Sequence, residues 1–413
     1  MFRLSKNIGP GFLLAGAAIG VSHLVQSTRA GAEYGWMLII ALIVACISKY
    51  PFMMMGPRYT AATGQHLIEG YKDLGKSQYY TYIFLTLASM FIVLAAVTLV
   101  TGGLAAYFFP LDISVTIWCV FILLVCFGIL FIGKYNALDK SMKVIICLLT
   151  VLTFLAVIMA VYKFEQSQTT IELPSLTTAT SIAFIVSFMG WMPIPVDASI
   201  WHSIWTKEKS TQTGKKTSAG DVNVDFNIGY IGASVIAVLF FMLGVLVMHG
   251  RGMAFSNSSI AFSGQLVDIY ATILGQWTRP FIGFAAFITM FSTTISVADA
   301  FPRVTSEVFI LEKDYKRPKA TKVYILSLLI LSFIALLIIQ FGGSQFKLLV
   351  DFAAGLSFLT APFLAWFNYQ LFQSKKIPQA FRLSKAFRTF SLTCLVFLIL
   401  FNFIYLWSVY FYK

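Results

Sequence analysis

The stretch from Gly9 to Trp36 reads GPGFLLAGAAIGVSHLVQSTRAGAEYGW and decides the architecture of the chain. Its first half is apolar enough to enter a bilayer, but Gly16 and Gly20 weaken a helix there. Polar groups follow at Ser22, His23, Gln26 and Ser27. Irregular backbone at membrane depth survives only where it is buried in protein or lines a cavity. We therefore expect a discontinuous first helix whose break faces a binding site; the alternative is a glycine-rich packing helix with a few inward polar side chains.

The overall composition is that of a membrane protein. Of the 413 residues, 58% are hydrophobic and only 11% are charged, which is far too apolar for a soluble domain. Several apolar runs reach about 20 residues, the length that crosses the hydrocarbon core as a helix. The predicted fold class is an all-α polytopic membrane protein with about eleven transmembrane helices. The expected spans are 9–28, 34–56, 79–108, 113–133, 144–162, 177–203, 227–249, 277–299, 323–341, 346–371 and 390–411.

The positive charge of the chain indicates its orientation rather than a polyanionic partner. The formal net charge is +13, and nearly all Lys and Arg residues lie in one alternate set of the loops. Positive loops face the cytoplasm, so we expect the N-terminus inside and, with an odd number of spans, the C-terminus outside. The expected location is the plasma (inner) membrane, with the lipid bilayer as partner and no nucleic acid. Segment 57–78 is expected to be a cytoplasmic loop, and 204–226 a flexible cytoplasmic connection.

The chain lacks the sequence signals of enzymes and ATP-driven pumps. No nucleotide-binding loop is present. Only four histidines occur, no two of them have the spacing of a metalloprotease, and no catalytic constellation stands out. We therefore expect neither an enzyme nor a bound cofactor.

A second interruption lies in the sixth span, 177–203. Pro193 and Pro195 each lack an N–H and clash with the preceding turn, so the helix should unwind there. Asp197 follows at once, and an ionisable group inside a span is costly enough to indicate a functional site. The alternative for Asp197 is an N-cap on the second half of the helix, and the two roles are compatible.

The positions of the two breaks predict an internal repeat. Breaks in the first and sixth spans are the pattern of two inverted repeats of five spans. Within one transmembrane transporter domain (1–413), the repeats would cover about 9–162 and about 177–371, with an extra helix over about 390–411. Half-helix ends expose carbonyls that can bind a cation and N–H groups that can hold an anion.

The opening of the chain resembles the NRAMP family of divalent metal transporters. The similarity is carried by GPGFL at 9–13, by AGAEYG at 30–35 and by a Met-Pro element at Met192-Pro193 in the sixth span. Span count and total length agree with the family. The resemblance implies a LeuT-like fold and metal-ion transport.

The chain also departs from the family pattern. The family carries Asp-Pro-Gly-Asn at the first break, where this chain has GVSH at 20–23, so Gly20 stands at the position of the metal-binding Asp and His23 at that of the Asn. The family's Met-Pro-His is here the tripeptide 192–194 or, in a shifted register, 194–196. The third span carries no charged residue, whereas the family uses ionisable groups there for proton traffic. A divergent branch is therefore indicated.

The candidate metal site combines residues from both breaks. Imidazole and thioether groups suit transition metals, while carboxylate and neutral oxygens suit harder ions, and a hydrated ion such as Mg²⁺ tolerates the lost carboxylate best. The alternative for His23 is an inward hydrogen-bonding residue without a ligand. The residues selected are Gly20, Ser22, His23, Gln26, Met192 and Asp197.

Three further groups of charged residues are expected to form pairs. Asp299 and Arg303 form either a gate or a simple interfacial pair at the cytoplasmic end of span eight. Asp351 either lines the transport path or pairs with Lys347 one turn earlier, and we favour the pair. Arg29 and Glu33, four residues apart, are expected to form a local ion pair.

The leading hypothesis is a secondary transporter of a divalent metal cation, related to NRAMP, that works by alternating access with the metal ion as its substrate. A transporter of a small organic solute such as an amino acid, on the same fold, is the alternative. A receptor or scaffold that transports nothing is a third reading, which two broken helices with buried polar groups do not favour.

Overall fold

The computed structural model describes residues 9–132, 135–163, 174–214, 217–251, 255–313 and 317–411. The ordered elements of these residues are helices joined by short turns. The α-helices are α1 (Pro10–Ala18), α2 (Thr28–Tyr34), α3 (Ile39–Thr63), α4 (Leu67–Leu74), α5 (Lys76–Phe108), α6 (Val115–Ile132), α7 (Tyr135–Lys163), α8 (Ala179–Trp191), α9 (Ala198–Thr213), α10 (Ala219–Leu243), α11 (Ser259–Leu274), α12 (Arg279–Lys313), α13 (Arg317–Gly342), α14 (Phe346–Leu371) and α15 (Lys385–Phe411).

The helices coincide with the eleven expected spans. Among the described residues, seven helical stretches are long and apolar enough to cross a membrane. Two of them, Ser22–Thr63 and Ala320–Leu371, each contain parts of two spans. The fifth span and the first half of the sixth coincide with the shorter apolar helices Cys147–Lys163 and Ala179–Trp191. The prediction of an all-α polytopic membrane protein is confirmed.

The first span is broken as expected. α1 ends at Ala18, and the chain resumes as a π-helical turn over Ser22–Ser27 before α2 begins. At the break, a Cβ on Gly20 would lie 2.4 Å from the Thr293 hydroxyl oxygen of α12. Glycine is therefore the residue that lets the interrupted backbone pack directly against α12.

The sixth span is broken at the two prolines. α8 ends at Trp191, the following residues 192–197 are not helical, and α9 begins at Ala198. A proline cannot donate to a carbonyl four residues earlier, so Pro193 and Pro195 end the hydrogen-bonding pattern of α8. Both expected breaks are confirmed.

Two segments expected to be irregular contain helix. α3 runs to Thr63 and α4 lies within 57–78. Segment 204–226 contains the C-terminal end of α9 and the N-terminal end of α10. α4 is a short surface helix begun by a capping box, in which His66 and Glu69 each accept a backbone N–H from the other. The capping box satisfies backbone N–H groups at the start of α4, which allows this polar segment to be helical.

Close helix packing surrounds the break in the sixth span. α8 packs against α14, while α9 packs against α3. A Cβ on Gly190 would lie 2.1 Å from the backbone oxygen of Ala354, so α8 and α14 touch at backbone distance. Small residues of this kind let membrane helices approach closely and associate by van der Waals packing. This matters because lipid provides no hydrophobic force that drives helices together.

Candidate functional site

A small cavity lies between the two helix breaks. Its volume is about 40 Å³, enough for one or two water molecules. Most of its wall is apolar, and hydroxyls of Ser22 and Thr293 supply polar groups. The apolar wall includes Ala17, Val21, Val93, Val97, Ile194 and Trp201. In this conformation the cavity accommodates a small species and not a large organic molecule.

Hydroxyl groups satisfy the carbonyls at the end of α1. Ser22 Oγ lies 2.7 Å from the Ala18 oxygen, and Thr293 Oγ1 lies 3.2 Å from the Ile19 oxygen. The last carbonyls of a helix lack partners within the helix. At the first break these groups are therefore capped by neutral side chains.

His23 is buried and turned towards α10. Its Nε2 lies 2.9 Å from the Ala233 oxygen, and its Nδ1 lies 2.7 Å from Ser22 Oγ. Because a carbonyl only accepts, Nε2 carries a proton and donates to Ala233. Nδ1 faces the Ser22 hydroxyl, whose single proton is shared between Nδ1 and the Ala18 oxygen. Both ring nitrogens therefore have partners, which is the arrangement of an inward hydrogen-bonding residue. A metal-binding role for His23 stays a prediction.

Gln26 belongs to a separate polar cluster, which we call the Arg29 cluster. Gln26 Nε2 donates to Ser187 Oγ at 2.7 Å and to Asp351 Oδ1 at 2.9 Å. Arg29 pairs with Asp351 at 2.9 Å and with Glu33 at 3.4 Å. The expected Arg29–Glu33 pair is confirmed.

The expected pair between Asp351 and Lys347 is wrong. Lys347 instead donates to the backbone oxygen of Phe255 at 2.9 Å. Asp351 turns towards Arg29 because a buried guanidinium requires a carboxylate, whereas Lys347 donates to the carbonyl of Phe255, just before α11. The Arg29 cluster thereby ties α2 to α8 and α14.

Met192 and Asp197 flank the break in the sixth span. Met192 is fully buried directly after α8. Asp197 occupies the N-cap position of α9, but its side chain makes no capping hydrogen bond. The carboxylate is thus not used as a cap.

Lys49 is the functional candidate that the sequence reasoning missed. It is 0% exposed in the middle of α3, and its Nζ donates to three backbone oxygens at the break. The distances are 2.8 Å to Met189, 2.9 Å to Gly190 and 3.2 Å to Ile194. The available signal was a lone lysine inside an apolar run, since such a charge is expensive in a membrane span.

The six selected residues do not form one coordination shell in this conformation. Ser22 reaches the cavity, His23 faces α10 and Gln26 joins the Arg29 cluster. Within the described ranges, no group of three or more His, Cys, Asp or Glu residues is placed to hold a metal ion. The site prediction as a whole is neither confirmed nor contradicted by this arrangement.

A second charged group, the Arg303 cluster, lies at the C-terminal end of the sixth span. Arg303 pairs with Asp299 and with Glu208 of α9, both at 2.5 Å. Tyr324 of α13 donates to Asp299 at 2.6 Å. The expected Asp299–Arg303 pair is therefore present within a network that joins three helices.

Asp225 of α10 holds the start of α1. Its two carboxylate oxygens accept the backbone N–H groups of Gly9 at 2.9 Å and Gly11 at 2.7 Å. α1 has no local side-chain cap, so Asp225 serves as its cap from another helix. His202 Nε2 lies 3.9 Å from the same carboxylate.

A family model described as "Natural resistance-associated macrophage protein-like" matches residues 11–408 of this chain. The chain belongs to the Nramp family. Nramp proteins are transporters and not enzymes, which agrees with the expectation from the sequence. The resemblance noted from the opening motif is confirmed.

Two relatives illustrate the range of similarity. An uncharacterised protein of Pasteurella multocida is 35% identical over 88% of this chain and 84% of its own length. The divalent metal cation transporter MntH of Staphylococcus aureus is 23% identical over 70% of this chain and 64% of its own length.

Solved structures show the same fold. A mutant of the manganese transporter of Eremococcus coleocola superposes with a TM-score of 0.73 at 15% sequence identity. The superposition covers 96% of this chain and 85% of the chain of that transporter. MhsT in complex with L-phenylalanine superposes with a TM-score of 0.64 at 15% identity, covering 97% of this chain and 98% of its own. At these identities the comparison establishes the fold alone, and the expected LeuT-like fold with broken helices 1 and 6 is confirmed.

Proposed function

We propose that this Nramp protein is a secondary transporter that carries a divalent metal cation between the two helix breaks by alternating access. The observation that carries the proposal is a small cavity where both breaks meet, in a chain of the Nramp family. Its named relatives include a divalent metal cation transporter and a manganese transporter. The organic-solute alternative is not favoured, because the family match and the small cavity both point to an ion.

Two charged clusters that lie beyond the two helix breaks support alternating access. The first and sixth spans cross the membrane in opposite directions, so the ends that follow their breaks lie on opposite faces. The Arg29 cluster sits after the first break, and the Arg303 cluster after the sixth. Opening one cluster while the other stays closed would expose the cavity to one side at a time.

Asp197 is the group that we assign to charge recognition of the ion. Its carboxylate is not used in capping, and the residues that line the cavity offer the hydroxyls of Ser22 and Thr293 and no carboxylate. Such a set suits an ion that keeps part of its water shell, as Mg²⁺ does. Ser22, His23, Gln26, Met192 and the backbone at Gly20 complete the proposed site, some of them after a change of conformation.

We further propose the orientation and the repeat described above. The charge bias of the loops supports a cytoplasmic N-terminus and an external C-terminus in the plasma (inner) membrane. The placement of the breaks in the first and sixth spans supports two inverted repeats over about 9–162 and 177–371.

Metal uptake by purified protein in liposomes tests the function. We expect uptake of one or more of Mn²⁺, Mg²⁺, Zn²⁺ and Ca²⁺ down a gradient, and at least about tenfold slower uptake in Asp197→Asn, because the ion loses its carboxylate. Asp268→Asn is the matched control, since Asp268 is half-exposed and pairs with Arg279 on the protein surface. Absence of uptake of all four ions by the wild type would contradict the proposal.

Calorimetric titration with the same ions separates binding from transport. Binding that is lost in both His23→Ala and Asp197→Asn would place the ion at the two breaks. Binding lost only in Asp197→Asn would assign His23 to hydrogen bonding alone, as its contact with Ala233 suggests.

A further inference from the structure

The amino group of Lys49 fills a polar site at the break of the sixth helix. Three backbone oxygens surround its Nζ, at 2.8 Å for Met189, 2.9 Å for Gly190 and 3.2 Å for Ile194. The side chain has no exposed area and originates from α3, a different span. It is therefore built into the break by tertiary packing rather than by local sequence.

The oxygens are available because the helix stops there. In a continuous helix the Met189 oxygen would accept the N–H of residue 193, but that residue is Pro193 and has no N–H. The Gly190 oxygen would accept from Ile194, which lies outside α8. Both oxygens carry the negative end of the helix dipole and attract a cation.

The arrangement fits a charged ammonium group. An ammonium has three N–H donors and no acceptor, whereas a neutral amine has two donors and a lone pair. Three acceptors surround Nζ, so each N–H has one oxygen.

The first break is organised differently. There the carbonyls at the end of α1 receive hydroxyl groups of Ser22 and Thr293. The donor to the carbonyls is therefore a positively charged ammonium at the sixth break, whereas the donors at the first break are neutral hydroxyls. Unwound carbonyls at half-helix ends are the groups that coordinate monovalent ions in transporters with broken helices.

We propose that the ammonium group of Lys49 is a resident, covalently attached cation that occupies a monovalent-cation site at the sixth break. The site consists of the Met189, Gly190 and Ile194 oxygens. It excludes a free sodium or potassium ion from this position. Removing the amino group while leaving space empties the site and makes it bind a small monovalent cation from solution.

Thermal unfolding of detergent-purified protein tests this inference with ammonium and methylammonium as probes. We expect Lys49→Ala to unfold at a lower temperature than the wild type. Its unfolding temperature should rise by several degrees when the probe is present at about 100 times the concentration that gives half of the full rise. Tetramethylammonium at equal ionic strength should give no recovery, because it has no N–H donor. Wild-type protein should show no specific response, since its site is filled.

Two further variants serve as controls. Lys49→Met fills the space without a charge, so it should be less stable than wild type and insensitive to the probes. Lys347→Ala removes an ammonium that contacts a single carbonyl, that of Phe255, and should show no rescue. Equal responses of Lys49→Ala to ammonium and tetramethylammonium would overturn the inference.

The test remains decisive if Lys49→Ala does not fold. Lys49→Gln keeps two N–H donors, so its unfolding temperature should lie between those of Lys49→Met and wild type. Wild-type stability of both Lys49→Met and Lys49→Gln would show that the three oxygens need no cation and would overturn the inference.

A transport consequence rests on the function proposed above. Metal uptake by wild-type protein should be unchanged when sodium and potassium are replaced by a bulky organic cation, whereas uptake by Lys49→Ala should be stimulated by ammonium. The thermal measurement does not involve a divalent metal, so failure of the tethered-cation inference and failure of metal transport give different results.

Discussion

The contact between Asp225 and the start of α1 gives a quantitative prediction about displacement of α1 from α10. Asp225 accepts the backbone N–H groups of Gly9 and Gly11 at 2.9 and 2.7 Å. A hydrogen bond to a charged group contributes about 1.5–3 kcal/mol. Asp225→Asn keeps one acceptor oxygen and loses one of these bonds and the charge that faces the helix N-terminus.

The expected effect is a shift of α1 away from α10. A loss of about 1.5–3 kcal/mol changes the ratio of molecules with α1 packed against α10 to molecules with α1 displaced by about ten- to hundredfold. Thr206 and Pro10 line a small cavity beside Asp225, so a cysteine at Thr206 reports on this opening.

The assay is maleimide labelling of Thr206→Cys in a Cys147→Ser background, because Cys147 is exposed whereas the other four cysteines are buried. We expect Asp225→Asn to raise the labelling rate by about tenfold or more. Asp221→Asn, one turn earlier on α10, is the matched control and should leave the rate unchanged. Labelling of Asp225→Asn at the control rate would refute the assignment of Asp225 as the holder of α1.

Two further predictions concern packing and the Arg29 cluster. Gly190→Ala places a Cβ 2.1 Å from the Ala354 backbone oxygen, so the yield of folded protein should fall sharply; Gly128→Ala, whose Cβ meets nothing within 4 Å, should be neutral. Asp351→Asn weakens the contacts to Arg29 and Gln26 and should lower stability by about 2 kcal/mol in thermal unfolding. An equal loss in Lys347→Ala would contradict this reasoning.

The functional residues that the sequence missed share a physical cause. Asp351 was assigned to Lys347 because residues four apart are neighbours on a helix. The actual partner, Arg29, lies 322 positions away in the chain. A local rule identifies pairs within one helix, but it contains no information about which other helix faces that side.

His23 shows the same limit at the candidate site. The sequence correctly placed it beside an interrupted helix, and the structure adds that its ring turns towards Ala233 of α10. Successive side chains on a helix point in directions about 100° apart, so one residue of shift changes the neighbour completely. The direction of a ring within a break is set by packing.

The sequence by itself determined the membrane class, the eleven spans and both helix breaks. These follow from contiguous residues, because a span needs about 20 apolar positions and a proline removes a backbone donor wherever it stands. Only the tertiary structure decided that Lys49 meets the carbonyls of α8, that Asp225 caps α1 and that Arg29 pairs with Asp351. Each of these contacts joins residues more than 100 positions apart, and their geometry depends on how whole helices pack against one another.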